Sequence, residues 1–183
     1  MSAGERHDDD RPALVATPSQ TVGPFFSFGL TTNQALGRMA ATDDAGERLR
    51  LCVRILDGAG APVPDALVEL SQAHAAGRHL FGRLPTDADG ACVFDTVRPA
   101  QPGVATREAV HINVCLFMRG LMRHVYTRIY FAGDPALQDD PVLALVAEDR
   151  RETLVAQRNA DAADVWEFDV RLQGDRETVF FDL

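Results

Sequence analysis

Ala109-Val-His111-Ile-Asn113-Val-Cys115-Leu-Phe117-Met-Arg119-Gly120, then Leu121 to Val125, then Tyr126-Thr-Arg128-Ile-Tyr130-Phe131, is the stretch on which the fold of this chain turns. Both ends are rich in Val, Ile, Leu, Tyr and Phe, contain no Pro, and part at Gly120. They read as two β-strands with a connection between them. Alternation places Val110, Ile112, Val114, Leu116 and Met118 on one face and His111, Asn113, Cys115, Phe117 and Arg119 on the other. The first face is wholly apolar and has to be core. The second carries an imidazole, an amide and a guanidinium along one sheet, a place where a site can be built.

The period of two recurs on either side. Glu47 to Asp57 sets Leu49, Leu51, Val53 and Ile55 inward and Arg48, Arg50 and Arg54 outward. Ala66 to Gln72, Ala91 to Val97, Asp164 to Gln173 and Thr178 to Leu183 read as further strands. Asp57-Gly58-Ala59-Gly60 reads as a hairpin turn, and Thr86-Asp87-Ala-Asp89-Gly90 and Gly174-Asp175 as further turns. Between Asp140 and Asn159 the spacing changes to the helical one, with a short helix over Pro141 to Val146 and another turn or two over Arg150 to Ala156. About seven or eight short strands with one small helical insert predict an all-β fold, an antiparallel β-sandwich spanning 47–183.

Residues 1–13 are polar and are expected to be a disordered tail, and 14–46 an extended N-terminal arm and loop. Within the arm, Thr17-Pro-Ser-Gln-Thr21-Val-Gly23-Pro24-Phe25-Phe26-Ser-Phe28 has too much Pro and Gly for a regular element, yet carries three Phe that need burial. It lies either on its own domain or across a partner subunit. At 183 residues, with 46% hydrophobic and 25% charged, the chain is long enough for one domain with a real core. A net charge of −9 without a basic cluster argues against nucleic acid, and no apolar run approaches the length of a membrane span. Cys52, Cys92 and Cys115 sit in separate apolar runs and read as reduced thiols of a cytoplasmic protein, which the polar start, lacking a signal-peptide core, also suits.

His111, with His74 and His79 upstream, raises the question of a metal. The residue sharing its strand face two positions on is Asn113, a poor ligand, and both tyrosines (Tyr126 and Tyr130) fall inside the next strand. His74 and His79 read as exposed loop residues, and Arg128 as half of a structural ion pair. No nucleophile with a base and no phosphate-binding glycine loop stands out. Arg119 ends the central strand beside a Gly that admits another backbone. Three readings stand for it: a surface charge, a partner for a carboxylate such as Glu69, or a fork of donors for an anionic ligand.

Taken together, the arm from Thr17 to Phe26, Val68-Glu-Leu-Ser-Gln-Ala followed by Ala-Ala-Gly-Arg78, Phe81-Gly-Arg-Leu-Pro-Thr-Asp-Ala-Asp-Gly90, His111-Ile-Asn-Val-Cys-Leu-Phe-Met-Arg-Gly-Leu121, Thr127-Arg-Ile-Tyr-Phe131 and the ending from Phe168 to Leu183 resemble the intradiol ring-cleavage dioxygenases. The resemblance covers nearly everything from Thr17 onward and runs to the alpha chains of members built from alternating alpha and beta chains. It implies a β-sandwich in a hetero-oligomer that uses non-haem Fe(III) and O₂ to open protocatechuate to 3-carboxy-cis,cis-muconate.

In that family two Tyr and two His hold the iron. His79 stands where the first Tyr is expected, Pro102-Gly103-Val104 offers no second Tyr, His111 matches the first His, and Asn113 replaces the second. The resemblance therefore implies that this chain holds no metal and has no catalytic residue of its own, the Fe(III) belonging to a partner beta chain. It also implies that Thr21, Pro24 and Arg119 line the substrate cavity beside that iron, and that the Phe-rich arm packs across the partner. The segment from His79 to Phe81 is shorter than the family pattern, and Phe25 stands where Tyr is usual. The competing expectation is a non-catalytic β-sandwich that serves binding or assembly.

Overall fold

The computed structural model describes residues 14–23, 25–101 and 107–182. Eight strands follow in chain order: β1 (Arg48–Leu56), β2 (Leu67–Ala73), β3 (His79–Pro85), β4 (Ala91–Val97), β5 (Ile112–Phe117), β6 (Val125–Phe131), β7 (Val155–Arg158) and β8 (Val165–Arg171). They hydrogen-bond in the order β3-β2-β5-β6-β7-β8-β1-β4. The short β7 touches β6 and β8 over two residue pairs each, so the ladder folds there into two leaves. Leu51, Val53, Ile55, Phe94, Trp166, Phe168 and Val170 from one leaf meet Val68, Leu70, Ile112, Val114, Leu116, Ile129 and Phe131 from the other in one core. Burying each such side chain is worth about 1.5–3 kcal/mol, and Phe131 meets Trp166 edge-on at 5.1 Å.

The alternation in β1 is as expected, with Leu49, Leu51, Val53 and Ile55 buried and Arg48, Arg50 and Arg54 exposed. The all-β sandwich stands, though two pairings among the described residues, β1 with β8 and β6 with β7, are parallel. The two Asp-Gly turns form locally, Asp57 Oδ1 accepting from Ala59 and Ala61 N–H and Asp87 Oδ1 from Asp89 and Ala91 N–H, all at 2.9 Å. Neither joins strands that pair with each other. The first leads from β1 in one leaf to β2 in the other, and the second leads from β3 back to β4.

Some expectations fail for local reasons. The arm does contain a regular element, α1 (Phe26–Leu30), although Phe25 before it and Phe28 within it remain 76% and 70% exposed. The insert is a series of tight three-residue-per-turn helices over Pro135–Asp139, Leu143–Leu145 and Glu148–Leu154. Among the described residues the segment from Thr178 is not a strand and makes one isolated bridge, Tyr126–Phe181. Threonine hydroxyls replace the ladder there: Thr127 Oγ1 donates to Val179 O at 2.7 Å, and Thr178 Oγ1 accepts from Arg171 N at 2.9 Å. No helix among the described residues is long and apolar enough to cross a membrane.

Candidate functional site

The second face of the central stretch leads to a turn where three separate segments meet. β5 stops at Phe117, and the chain turns over Met118 to Leu121. Gly120 has φ +95°, which costs a residue without Cβ little. Its N–H donates to Thr21 Oγ1 at 2.8 Å, tying the arm to the end of the central strand across 99 residues of sequence. Thr21 and Arg119, expected to share a site, are therefore neighbours on one turn. Pro24, the third expected member, lies outside the described residues.

On the other side of the turn, Arg119 Nη2 donates to Asp65 Oδ2 at 3.0 Å. The expected partner, Glu69, is taken instead by Arg83, whose Nε donates to it at 2.8 Å. The β2–β3 register sets Glu69 opposite Arg83, inside the sheet and away from the strand end where Arg119 sits. The Arg119 and Asp65 side chains are 58% and 60% exposed, so the pair adds little to stability. Beside it, Pro62, Val63 and Pro64 face Met118, Arg119 and Gly120 across a shallow cleft of about 420 Å³. A half-exposed guanidinium over an apolar floor can hold the carboxylate of a small aromatic molecule whose ring lies on the prolines.

Further along the same face, His111 sits just before β5 and is buried, with its Nδ1 2.9 Å from Ala109 O and its ring 5.7 Å from that of Tyr130. Burial holds its pKa below the ordinary 6.5. Glu108 lies 3.9 Å from His111 Nε2 but is engaged by Arg128 Nη1 at 2.8 Å, so the expected ion pair of Arg128 is present and leaves the imidazole with little charge support. Tyr130, pushed up to about 12 by burial, donates to Asp140 Oδ1 at 3.3 Å. His74 is not an exposed loop residue. It is buried and meets Asp44 at 3.4 Å, with Arg78 bonded to the same carboxylate. That Arg78 bond, more than any other contact, holds the Asp44 pKa below the ordinary carboxylate value. Burial pushes the Cys115 thiol up to about 11, and Cys52, Cys92 and Cys115 are all free.

A family profile described as Dioxygenase matches residues 21–174. The protocatechuate 3,4-dioxygenase alpha chain of Burkholderia cepacia is 41% identical over 93% of this chain and 98% of its own length. The chain belongs to the intradiol ring-cleavage dioxygenase family. The beta chain of the Burkholderia cepacia enzyme is a more distant relative, 34% identical over 70% of this chain and 66% of its own. Among solved structures, the dioxygenase domain of a carbohydrate-binding fusion protein from a Streptomyces superposes with a TM-score of 0.62 at 22% identity, covering 89% of this chain and 99% of that one. The alpha and beta naming of the relatives implies an alpha–beta complex.

Intradiol dioxygenases depend on iron, and the residues here can be tested against it. Ferric iron calls for several anionic or imidazole donors converging on one point. Of the positions that the resemblance matches to the family's ligands, Pro102 to Val104 lie outside the described residues, and His79 is exposed at the start of β3, opposite Ala73 of β2. Continuing the register places His111 two strands from it, roughly 10 Å away at the backbone. Asn113 is exposed on β5, opposite Arg128. No three His, Cys, Asp or Glu side chains converge among the described residues, and the Arg128 guanidinium adds positive charge where a cation would sit. This donor set does not suit ferric iron.

Asp65 and the Asp44–His74 pair escaped the sequence reading. Asp65 follows Pro64 in a loop, where an acidic residue is unremarkable, and the pairing of Asp44 with His74 needs two loops to meet. The only available signal was the Pro-rich run from Pro62 to Pro64, which marks a rigid loop without saying what it faces.

Proposed function

We propose that this chain is the alpha subunit of a ferric non-haem intradiol dioxygenase that cleaves protocatechuate with O₂ to 3-carboxy-cis,cis-muconate. In this reading it shapes the substrate cavity beside the iron of a beta chain, in the cytoplasm. The observation that carries it is the Thr21–Gly120 bond, which gathers the arm, the Arg119 turn and the Pro62–Pro64 cleft at one end of the sheet. The 41% identity to a chain named as a protocatechuate 3,4-dioxygenase alpha chain supports it, as does the poor donor set around His111.

Ferric iron held by the partner beta chain would supply Lewis-acid activation of the catechol. This chain's residues bind and orient. Arg119 holds the substrate carboxylate through its fork of donors. Thr21 accepts from Gly120 and keeps its O–H to donate. The exposed Phe25 and Phe28 rings, 5.9 Å apart, pack on the beta chain and keep water from the cavity.

The test is Arg119→Gln in the chain co-expressed with a beta chain. Losing a charge-assisted hydrogen bond worth about 1.5–3 kcal/mol lowers kcat/KM for protocatechuate by about ten- to over a hundredfold, with iron content and assembly unchanged. Arg119→Lys recovers part of the loss, because it restores charge without the planar fork. A change within about twofold makes Arg119 a surface charge and favours a non-catalytic assembly module.

A further inference from the structure

Asp65 stands out in the loop between β1 and β2. Among the described residues it is the only non-glycine with φ in the left-handed region, at +66°. Such a backbone persists only where its surroundings hold it, and here they do. The buried Thr86 hydroxyl donates to Val63 O at 2.8 Å and accepts from Ala66 N at 2.9 Å, clamping the chain on both sides of Asp65. Thr86 N also donates to Ala66 O at 2.8 Å. A carboxylate on this fixed post takes Nη2 of Arg119, while Arg119 Nε and Nη1 have no partner among the described residues.

We propose that Asp65 is a positioning residue of the substrate site. It holds the Arg119 guanidinium at the mouth of the Pro62–Pro64 cleft with its other edge open, so that the chain selects catechols bearing a carboxylate over those without one. The proposal rests on the reading of Arg119 as substrate-facing. An exposed arginine samples many rotamers, and ordering it before the substrate arrives removes that cost from the binding step. With Asp65 on one edge of the guanidinium, a substrate carboxylate would meet the opposite edge, so the cation screens one carboxylate from the other.

Asp65→Gly and Asp65→Asn test this in the assembled alpha–beta enzyme. Gly accepts φ +66° without strain and Asn tolerates it, so both variants keep the turn. The assay measures kcat and KM for protocatechuate, and Ki for catechol as a competitor lacking the carboxylate. Asp65→Gly raises KM for protocatechuate about three- to tenfold, with kcat and the catechol Ki within about twofold of wild type. Asp65→Asn, which keeps an acceptor oxygen, falls between the two. In an Arg119→Gln background, Asp65→Gly adds nothing further. An unchanged or lowered KM in Asp65→Gly overturns the proposal, as does an equal rise in KM and catechol Ki, which marks a structural role. A silent Arg119→Gln overturns the reading of Arg119 and this proposal together. An effective Arg119→Gln beside a silent Asp65→Gly overturns this proposal alone.

Discussion

Replacing Asp140 separates the two jobs of one buried carboxylate. Its Oδ2 accepts from Ala109 N at 2.7 Å, at the entrance to β5. Its Oδ1 accepts from Val142 N at 2.9 Å, Leu143 N at 2.8 Å and the Tyr130 hydroxyl at 3.3 Å. These bonds pin the helical insert to the central sheet over a smaller core of Ala109, Tyr130, Leu143, Val146 and Leu154. Asp140→Ala strands two buried amides, Ala109 and Leu143, at about 1–3 kcal/mol each, besides the partly buried amide of Val142. The expected loss is about 3–5 kcal/mol, a large part of the total stability of a domain. Asp140→Asn keeps one acceptor oxygen for the insert and turns a donor toward the Ala109 N–H, costing about 1–3 kcal/mol. Urea unfolding reads both, and each kcal/mol also lowers Tm by roughly 2–4 °C for a chain of this size. The reasoning fails if Asn destabilises as much as Ala, or if Ala costs under about 1 kcal/mol.

His111 makes stability depend on pH in a definite direction. Its folded pKa lies below the ordinary 6.5, so the unfolded chain takes up a proton first as the pH falls. Its contribution is fully present above pH 6.5 and declines as the pH drops below that value. His111→Gln flattens this part of the profile, and equal slopes in wild type and variant between pH 7 and 5 (urea midpoints at each pH) would contradict it. Deleting residues 1–30 removes the exposed Phe25 and Phe28 rings. Association with the beta chain, followed by analytical ultracentrifugation, then weakens about tenfold or more while Tm moves only a few degrees. Unchanged assembly with an early melt would instead assign the arm to its own core.

The faces of the strands were legible because alternation belongs to the local backbone. Leu49 to Ile55 and Ile112 to Leu116 point inward as their spacing demands. β3 was hidden by Gly82, which stands in the inward row between Leu80 and Leu84. No side chain fits there, since a Cβ would lie 2.6 Å from Met39 Cγ and 2.9 Å from Leu36 O. The ending from Thr178 looked like a strand for the opposite reason, its residues suiting a ladder whose place hydroxyls had taken. The departures at His79 and Asn113 could also be read from sequence, because they are changes of residue type at spaced positions.

By itself the sequence determined which residues face inward, which turns can form and which donors the family's iron positions lack. Only the tertiary structure decided that the Asp57 and Asp87 turns connect strands of different leaves, that β1 runs parallel to β8, and that Arg119 meets Asp65 rather than Glu69. It also decided that Thr21 closes on Gly120 from the far end of the chain. A side chain's direction follows from the dihedral angles of its own residue, whereas its partner depends on how two leaves stack to bury one core. That choice is made by contacts between residues a hundred positions apart, and no local pattern records it.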